Sequence, residues 1–134
     1  MNETGWNVLF SQLGLSIREP IVNIHIDSRH VRQGDAFIAI RGGAEYISDA
    51  IDQGASCVIA EKKYKHPKVF EVEDSVDWLG QLASLYARNL GAKIIAITGS
   101  VGKTSLTQLL GHILQKYAAT QVTMGNQNNE IGVP

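Results

Sequence analysis

Residues 94–117 read as strand, glycine turn and helix in direct succession, and few architectures accommodate that order. Ile94–Ile97 is a continuous apolar run of the kind found in parallel strands covered on both faces. Gly99-Ser100-Val101-Gly102-Lys103-Thr104 follows it. From Thr104 to Tyr117, Leu106, Leu109, Leu110, Ile113, Leu114 and Tyr117 keep the 3.6-residue period of an amphipathic helix. A strand that enters a helix through glycines belongs to an α/β fold and builds a phosphate cradle. The glycines let backbone N–H groups turn inward, and the helix dipole adds about half a positive charge at the same point. In such a loop Lys103 would reach the β- and γ-phosphates and the Thr104 hydroxyl would ligate Mg²⁺. The longest form of the motif needs glycine at position 97, where this chain has Ile97. A turn that only joins strand to helix is the plain alternative.

The rest of the chain also alternates helix and strand patterns. Trp6, Leu9, Phe10 and Leu13 form one helical face within Thr4–Gly14. Val22, Ile24 and Ile26 then alternate with polar residues, as in a half-buried strand. Phe37–Ile40 and Ser56–Ala60 read as buried strands, with a short helix over Ile47–Gln53 between them. Val69–Val72 is one more strand, and Lys62–Pro67 a solvated loop. Asp74 or Ser75 can cap a helix to about Leu90, with Leu79, Leu82, Ala83, Tyr86 and Leu90 inward. Val122 belongs to a last short strand, and the tail after it is polar and turn-forming. A boundary is expected between Asn89 and Lys93, dividing a compact α/β unit over residues 1–93 from residues 94–134. The fold class expected is therefore α/β: a small mixed α/β domain followed by the first βαβ elements of a P-loop ATPase domain.

Composition narrows the function classes. The 134 residues are 44 % apolar and 19 % charged, with a net charge of −1 and no basic stripe. Nucleic acid and membrane surfaces are thus poor partners. No apolar run approaches the roughly 18 residues of a membrane span. Cys57 is the one cysteine, so no internal disulfide forms, which suits a reducing cytoplasm. It lies in an apolar run and reads as a small buried hydrophobe, while Trp6 and Trp78 read as core or interface. His25, His30, His66 and His112 show no metal-ligand spacing.

Three stretches together resemble the Mur ligase family, the ATP-dependent enzymes that build peptidoglycan stem peptides. They are Thr98–Ser105; Asp27-Ser28-Arg29-His30-Val31 continuing through Gly34-Asp35-Ala36-Phe37-Ile38-Ala39; and Thr123-Met124-Gly125-Asn126-Gln127-Asn128-Asn129-Glu130-Ile131-Gly132-Val133-Pro134. The last is most similar to members that add D-alanyl-D-alanine to UDP-N-acetylmuramoyl-tripeptide; diaminopimelate- or lysine-adding members usually read differently there.

The resemblance implies ATP and Mg²⁺ as cofactors, with UDP-N-acetylmuramoyl-peptide and D-Ala-D-Ala as small-molecule substrates. It implies phosphoryl transfer to a substrate carboxylate, giving an acyl phosphate that the incoming amine attacks. Carried over by position, Gly99, Ser100, Val101, Gly102, Lys103, Thr104, Ser105, Asn126 and Asn129 hold the nucleotide, with Lys103 catalytic and Thr104 on the metal. Asp27, Ser28 and Arg29 match the segment near the uridine diphosphate, where a guanidinium can bind phosphate oxygens. An Asp27–Arg29 pair that only stabilises a turn is the alternative, as are Asn126, Asn128 and Asn129 satisfying a loop backbone.

The loop Arg41–Tyr46 is shorter than in other members and lacks their Asp-Gly-His. The later metal ligands and C-terminal domain of the family are not matched either, so the chain reads as a fragment inactive alone. Its apolar 94–97 run and helix face are then expected to seek partners, with self-association one outcome. A diaminopimelate- or lysine-adding ligase, a non-catalytic nucleotide-binding or interaction module, and an unrelated P-loop kinase are the competing readings.

Overall fold

The computed structural model describes residues 3–123. Its elements are α1 (Glu3–Gln12), β1 (Ile24–His25), β2 (Ala36–Ile38), α2 (Ile47–Asp52), β3 (Cys57–Ala60), β4 (Val69–Glu71), α3 (Ser75–Leu90) and α4 (Lys103–Leu114). Short 3₁₀ turns at Ser28–His30 and Gly43–Tyr46 follow β1 and β2.

The four strands form one parallel sheet in the order β1-β2-β3-β4. In register, Ile38 pairs with Ile59, and Ile59 with Phe70. Successive side chains point to opposite faces, so each buried strand feeds two cores. Ala36, Ile38, Cys57 and Ile59 meet Leu9 and Phe10 of α1 and Trp78 and Leu82 of α3. Phe37, Ala39, Val58 and Ala60 meet Val31, Ile47, Ala50 and Ala55 on the other side. Two aromatic pairs lock α1 to α3: Trp6 stacks on Tyr86, and Phe10 meets Trp78 edge-on, each at 4.9 Å between ring centroids. Both tryptophans are therefore spent on packing.

The helix ends follow local chemistry. Asp74 Oδ1 accepts the N–H groups of Val76 (2.9 Å) and Asp77 (2.8 Å), capping α3. Gly91, at φ 62°, closes its far end in the left-handed conformation. Cys57 is buried, and desolvation pushes its thiol up to about 12. Iodoacetamide is expected to leave Cys57 unmodified at about pH 8 and to label it once urea unfolds the chain. Labelling of the folded protein would contradict this packing.

Five details differ from the sequence expectations. β1 is two residues long, not five: it is an edge strand, and the Asp35 carboxylate takes the Asn23 N–H at 3.1 Å. Leu90 is exposed rather than inward, because the last turn of α3 lies outside the apolar cluster that buries Trp78 and Leu82. Ile94–Ile97 forms no strand, and Ile94 is 76 % exposed. A strand needs neighbours for its N–H and C=O groups, and among the described residues this run has none. Val122 is not in a strand; it packs on α4 at Gly111, where an added Cβ would come within 2.4 Å of Val122 Cγ1. The helix expected over Thr104–Tyr117 runs from Lys103 to Leu114, and its Leu106, Leu109 and Ile113 remain exposed.

Candidate functional site

Because all four strands are parallel, the residues that follow each strand gather along one edge of the sheet. That carboxyl edge is where open α/β sheets bind ligands. Here it carries Asp27–Arg29 after β1, Ile40–Gly43 after β2, Glu61–Lys62 after β3 and Asp74 after β4. A cleft of about 880 Å³ opens there, lined by Arg41, Gly42, Glu61, Lys62, Asp74 and Gln81 among others.

The chain reverses directly after β2 through Arg41 (φ 39°) and Gly42 (φ 85°), and Gly43 N–H donates to Ile40 C=O at 2.8 Å. Arg41 is the only non-glycine residue with positive φ among the described residues. A left-handed arginine is a strained choice that surrounding structure must hold. The wall carries both signs of charge. The two nearest acids are engaged: Glu61 Oε1 accepts the Ser75 N–H (3.0 Å) and hydroxyl (2.7 Å), which lowers its pKa. Asp74 caps α3.

Asp27, Ser28 and Arg29 form one compact turn. Asp27 Oδ1 accepts Arg29 N–H (3.0 Å) and Nε–H (2.9 Å), and Oδ2 accepts Nη2–H at 2.6 Å. The turn-stabilising pair foreseen from sequence is thus formed, while the Arg29 side chain stays 83 % exposed at the ligand edge. The Arg29 guanidinium holds the Asp27 carboxyl well below the usual carboxylate range. The folded pKa lies below the unfolded one, near about 3.9, so the pair is intact above that value and is lost as pH falls toward the folded pKa. An NMR titration of the Asp27 carboxyl should give a midpoint below the ordinary range, returning toward it in Arg29→Ala. An unmoved midpoint in that variant would rule out Arg29 as the cause.

The second candidate group, Gly99–Ser105, forms one loop into α4. Gly102 sits at φ 82° and provides no side-chain cap, so the first-turn N–H groups of α4 are left without one. Lys103 Nζ reaches back over the loop to Gly99 C=O. Ser100, Val101, Thr104 and Ser105 are exposed. An uncapped helix start, glycine backbone and a lysine folded over the loop fit a bound phosphate chain. Neither this loop nor Asp27–Arg29 lines the 880 Å³ cleft. Asn126, Asn128 and Asn129 lie outside the described residues. No group of three or more His, Cys, Asp or Glu is placed to hold a metal, and no helix is long and apolar enough to cross a membrane, among the described residues.

Sequence reasoning missed one buried charge. Asp35 is 1 % exposed; its carboxylate accepts from Asn23 N–H (3.1 Å) and Arg32 N–H (2.9 Å), and His25 Nε2 lies 3.2 Å from Oδ2. Its signal was a carboxylate directly before an apolar run, a place where donors have to be supplied.

The sequence pattern of the Mur ligase family, catalytic domain, matches residues 20–87, and that of the Mur ligase middle domain matches residues 97–134. The chain is 38 % identical to the UDP-N-acetylmuramoyl-tripeptide–D-alanyl-D-alanine ligase of Rickettsia prowazekii, over 96 % of this chain and 31 % of that protein. It is 33 % identical to the UDP-N-acetylmuramoyl-L-alanyl-D-glutamate–2,6-diaminopimelate ligase of Vibrio vulnificus, over 81 % of this chain and 25 % of that protein. Among solved structures it resembles the MurF ligase of Thermotoga maritima in complex with ADP, with a TM-score of 0.77 and 35 % identity, covering 83 % of this chain and 27 % of that one. MurF from Acinetobacter baumannii superposes with a TM-score of 0.81 at 33 % identity, over 98 % of this chain and 31 % of that one. The chain thus spans less than a third of the length of these relatives.

Proposed function

The chain belongs to the Mur ligase family, and from that premise we propose that it carries the substrate-side and nucleotide-side beginnings of an ATP-dependent amide ligase. Residues 1–93 are the domain for the UDP-sugar end of the substrate, and residues 94–134 open the ATP-binding domain. The reaction is the addition of D-Ala-D-Ala to UDP-N-acetylmuramoyl-tripeptide in the cytoplasm. The D-Ala-D-Ala reading is supported by the name of the Rickettsia relative and by the likeness to the two MurF structures. The 33 % identity to a diaminopimelate ligase keeps that amine as the second reading.

The observation that carries the proposal is the Gly99–Ser105 loop at the uncapped start of α4, with Lys103 folded across it. Backbone N–H groups of the loop would hold the phosphates, Lys103 would neutralise their charge, and Thr104 would offer its hydroxyl to Mg²⁺. ATP, when bound, supplies the phosphoryl group that activates a carboxylate. Asp27 and Arg29 act on the other side of the reaction: Asp27 orients the guanidinium, and Arg29 presents it to a diphosphate. Positioning and charge neutralisation are the whole of this chain's part.

Titration calorimetry of the 134-residue chain with Mg·ATP and, separately, with UDP-N-acetylmuramoyl-tripeptide tests both halves. Saturable binding of each ligand is expected, without phosphate release when D-Ala-D-Ala is added. Failure to bind Mg·ATP would overturn the nucleotide assignment, and failure to bind the UDP-peptide the substrate assignment.

A further inference from the structure

We infer that Gln53 is a positioning residue for the Ser28–His30 turn and, through that turn, for Arg29; the functional part of this rests on reading the carboxyl edge of the sheet as the substrate side. Apart from the Asp27 carboxylate, which takes Arg29 N–H and its guanidinium, the turn has little of its own to hold it. His30 N–H donates to Asp27 C=O at 3.1 Å and Val31 N–H to Ser28 C=O at 3.2 Å, the bonds of a single 3₁₀ turn. An isolated turn of this length has no cooperative support.

Two side chains from elsewhere in the fold supply it. The buried Asp35 carboxylate takes Arg32 N–H just beyond the turn. Gln53, at the C-terminal cap of α2, sets one end of its side-chain amide against two carbonyl oxygens, Ser28 C=O (2.9 Å) and Val31 C=O (3.0 Å). Two acceptors there require the nitrogen end, which is assigned to that side and donates to both. Ser28 C=O is thereby shared between Val31 N–H and the Gln53 amide.

Gln53 is itself well anchored. Its backbone N–H donates to Asp49 C=O at 3.0 Å, and α2 is set into the core by Ile47 and Ala50. The next residue, Gly54 (φ 97°), permits this close approach: a Cβ there would lie 2.3 Å from Gln33 Oε1 and 3.1 Å from Gln33 Cα. Gly34 N–H donates to Gly54 C=O at 3.0 Å and completes the attachment. A rigid helix end is thus wired by one amide to the turn that presents Arg29.

Orientation is the main effect of that amide. Ser28 C=O would keep Val31 N–H without it, so the loss of one surface amide is a small net cost to global stability. What would be lost is a single direction for the Asp27–Arg29 fork.

The test uses the full 134-residue chain with Gln53→Leu and Gln53→Glu, read by amide hydrogen exchange and by titration with UDP. Exchange at His30 and Val31 should quicken about tenfold, the size of an ordinary hydrogen-bond loss, while Val58 and Ile59 in β3 keep their protection. UDP affinity should fall about three- to tenfold in step. In Gln53→Glu the turn's protection should recover, relative to the parent chain, below about pH 4, where the protonated carboxyl regains a donor. Equal loss at the turn and in β3, or no loss at either, overturns the inference. So does unchanged UDP affinity in a variant whose turn has loosened. If the parent chain itself does not bind UDP, the substrate reading fails, and the exchange data still decide whether Gln53 holds the turn.

Discussion

Lys103→Ala weakens binding of Mg·ATP by roughly 10- to 150-fold, the equivalent of one charge-assisted hydrogen-bonded contact of about 1.5–3 kcal/mol. The argument is one of charge and geometry. Lys103 is the first residue of α4, and its ammonium lies over the glycine loop against Gly99 C=O. No side chain caps that helix start, so the loop's N–H groups and this ammonium are the local positive field. Alanine keeps the backbone cradle and removes the point charge, which separates the two contributions. The variant should melt with the parent chain, since Lys103 is only half-buried and its ammonium bonds to a loop carbonyl. Calorimetric titration with Mg·ATP measures the loss, and an unchanged dissociation constant would sink the assignment of the loop.

The second large effect concerns the fold that carries the edge. Phe10→Ala should destabilise the chain by about 3–5 kcal/mol, as for other buried phenylalanines. Phe10 is fully buried, meets Trp78 edge-on, and joins α1 to the sheet face made by Ile38 and Ile59. Its removal loses apolar burial, the aromatic contact and the packing of two helices at once. A domain of this size has a stability of about 5–15 kcal/mol, so the variant would be partly unfolded at the lower end of that range. Urea unfolding followed by tryptophan fluorescence measures the shift. A midpoint displaced by less than the equivalent of about 1 kcal/mol would mean that α1 is not part of the core.

Much of this could be read without coordinates. Short apolar runs located β2 and β3, period-two alternation marked the region of β1, and period 3.6 located α1 and α3, because each depends on how a short segment is buried. The start of α3 was legible from Asp74, since a cap is a contact between residues two or three apart. The glycine loop was legible for the same reason: its chemistry is contained in seven consecutive residues. Apolar periodicity also suggested a strand at 94–97, and there it misled, because a strand is completed by a neighbour that no local pattern supplies.

What remained hidden in the linear order was every partnership between distant residues. Asp35 reaches Asn23, Arg32 and His25, and Gln53 reaches Ser28 and Val31. Nothing in the spacing of these residues announces the contacts. The parallel order β1-β2-β3-β4 brings Asp27, Arg41, Glu61 and Asp74 to one edge although they are spread along about a third of the chain. Short-range chemistry, written in neighbouring side chains, was therefore enough to identify the family and to mark the glycine loop. The edge and its supports exist only once chain entropy has been spent to bring remote segments together, and that is settled by tertiary packing alone.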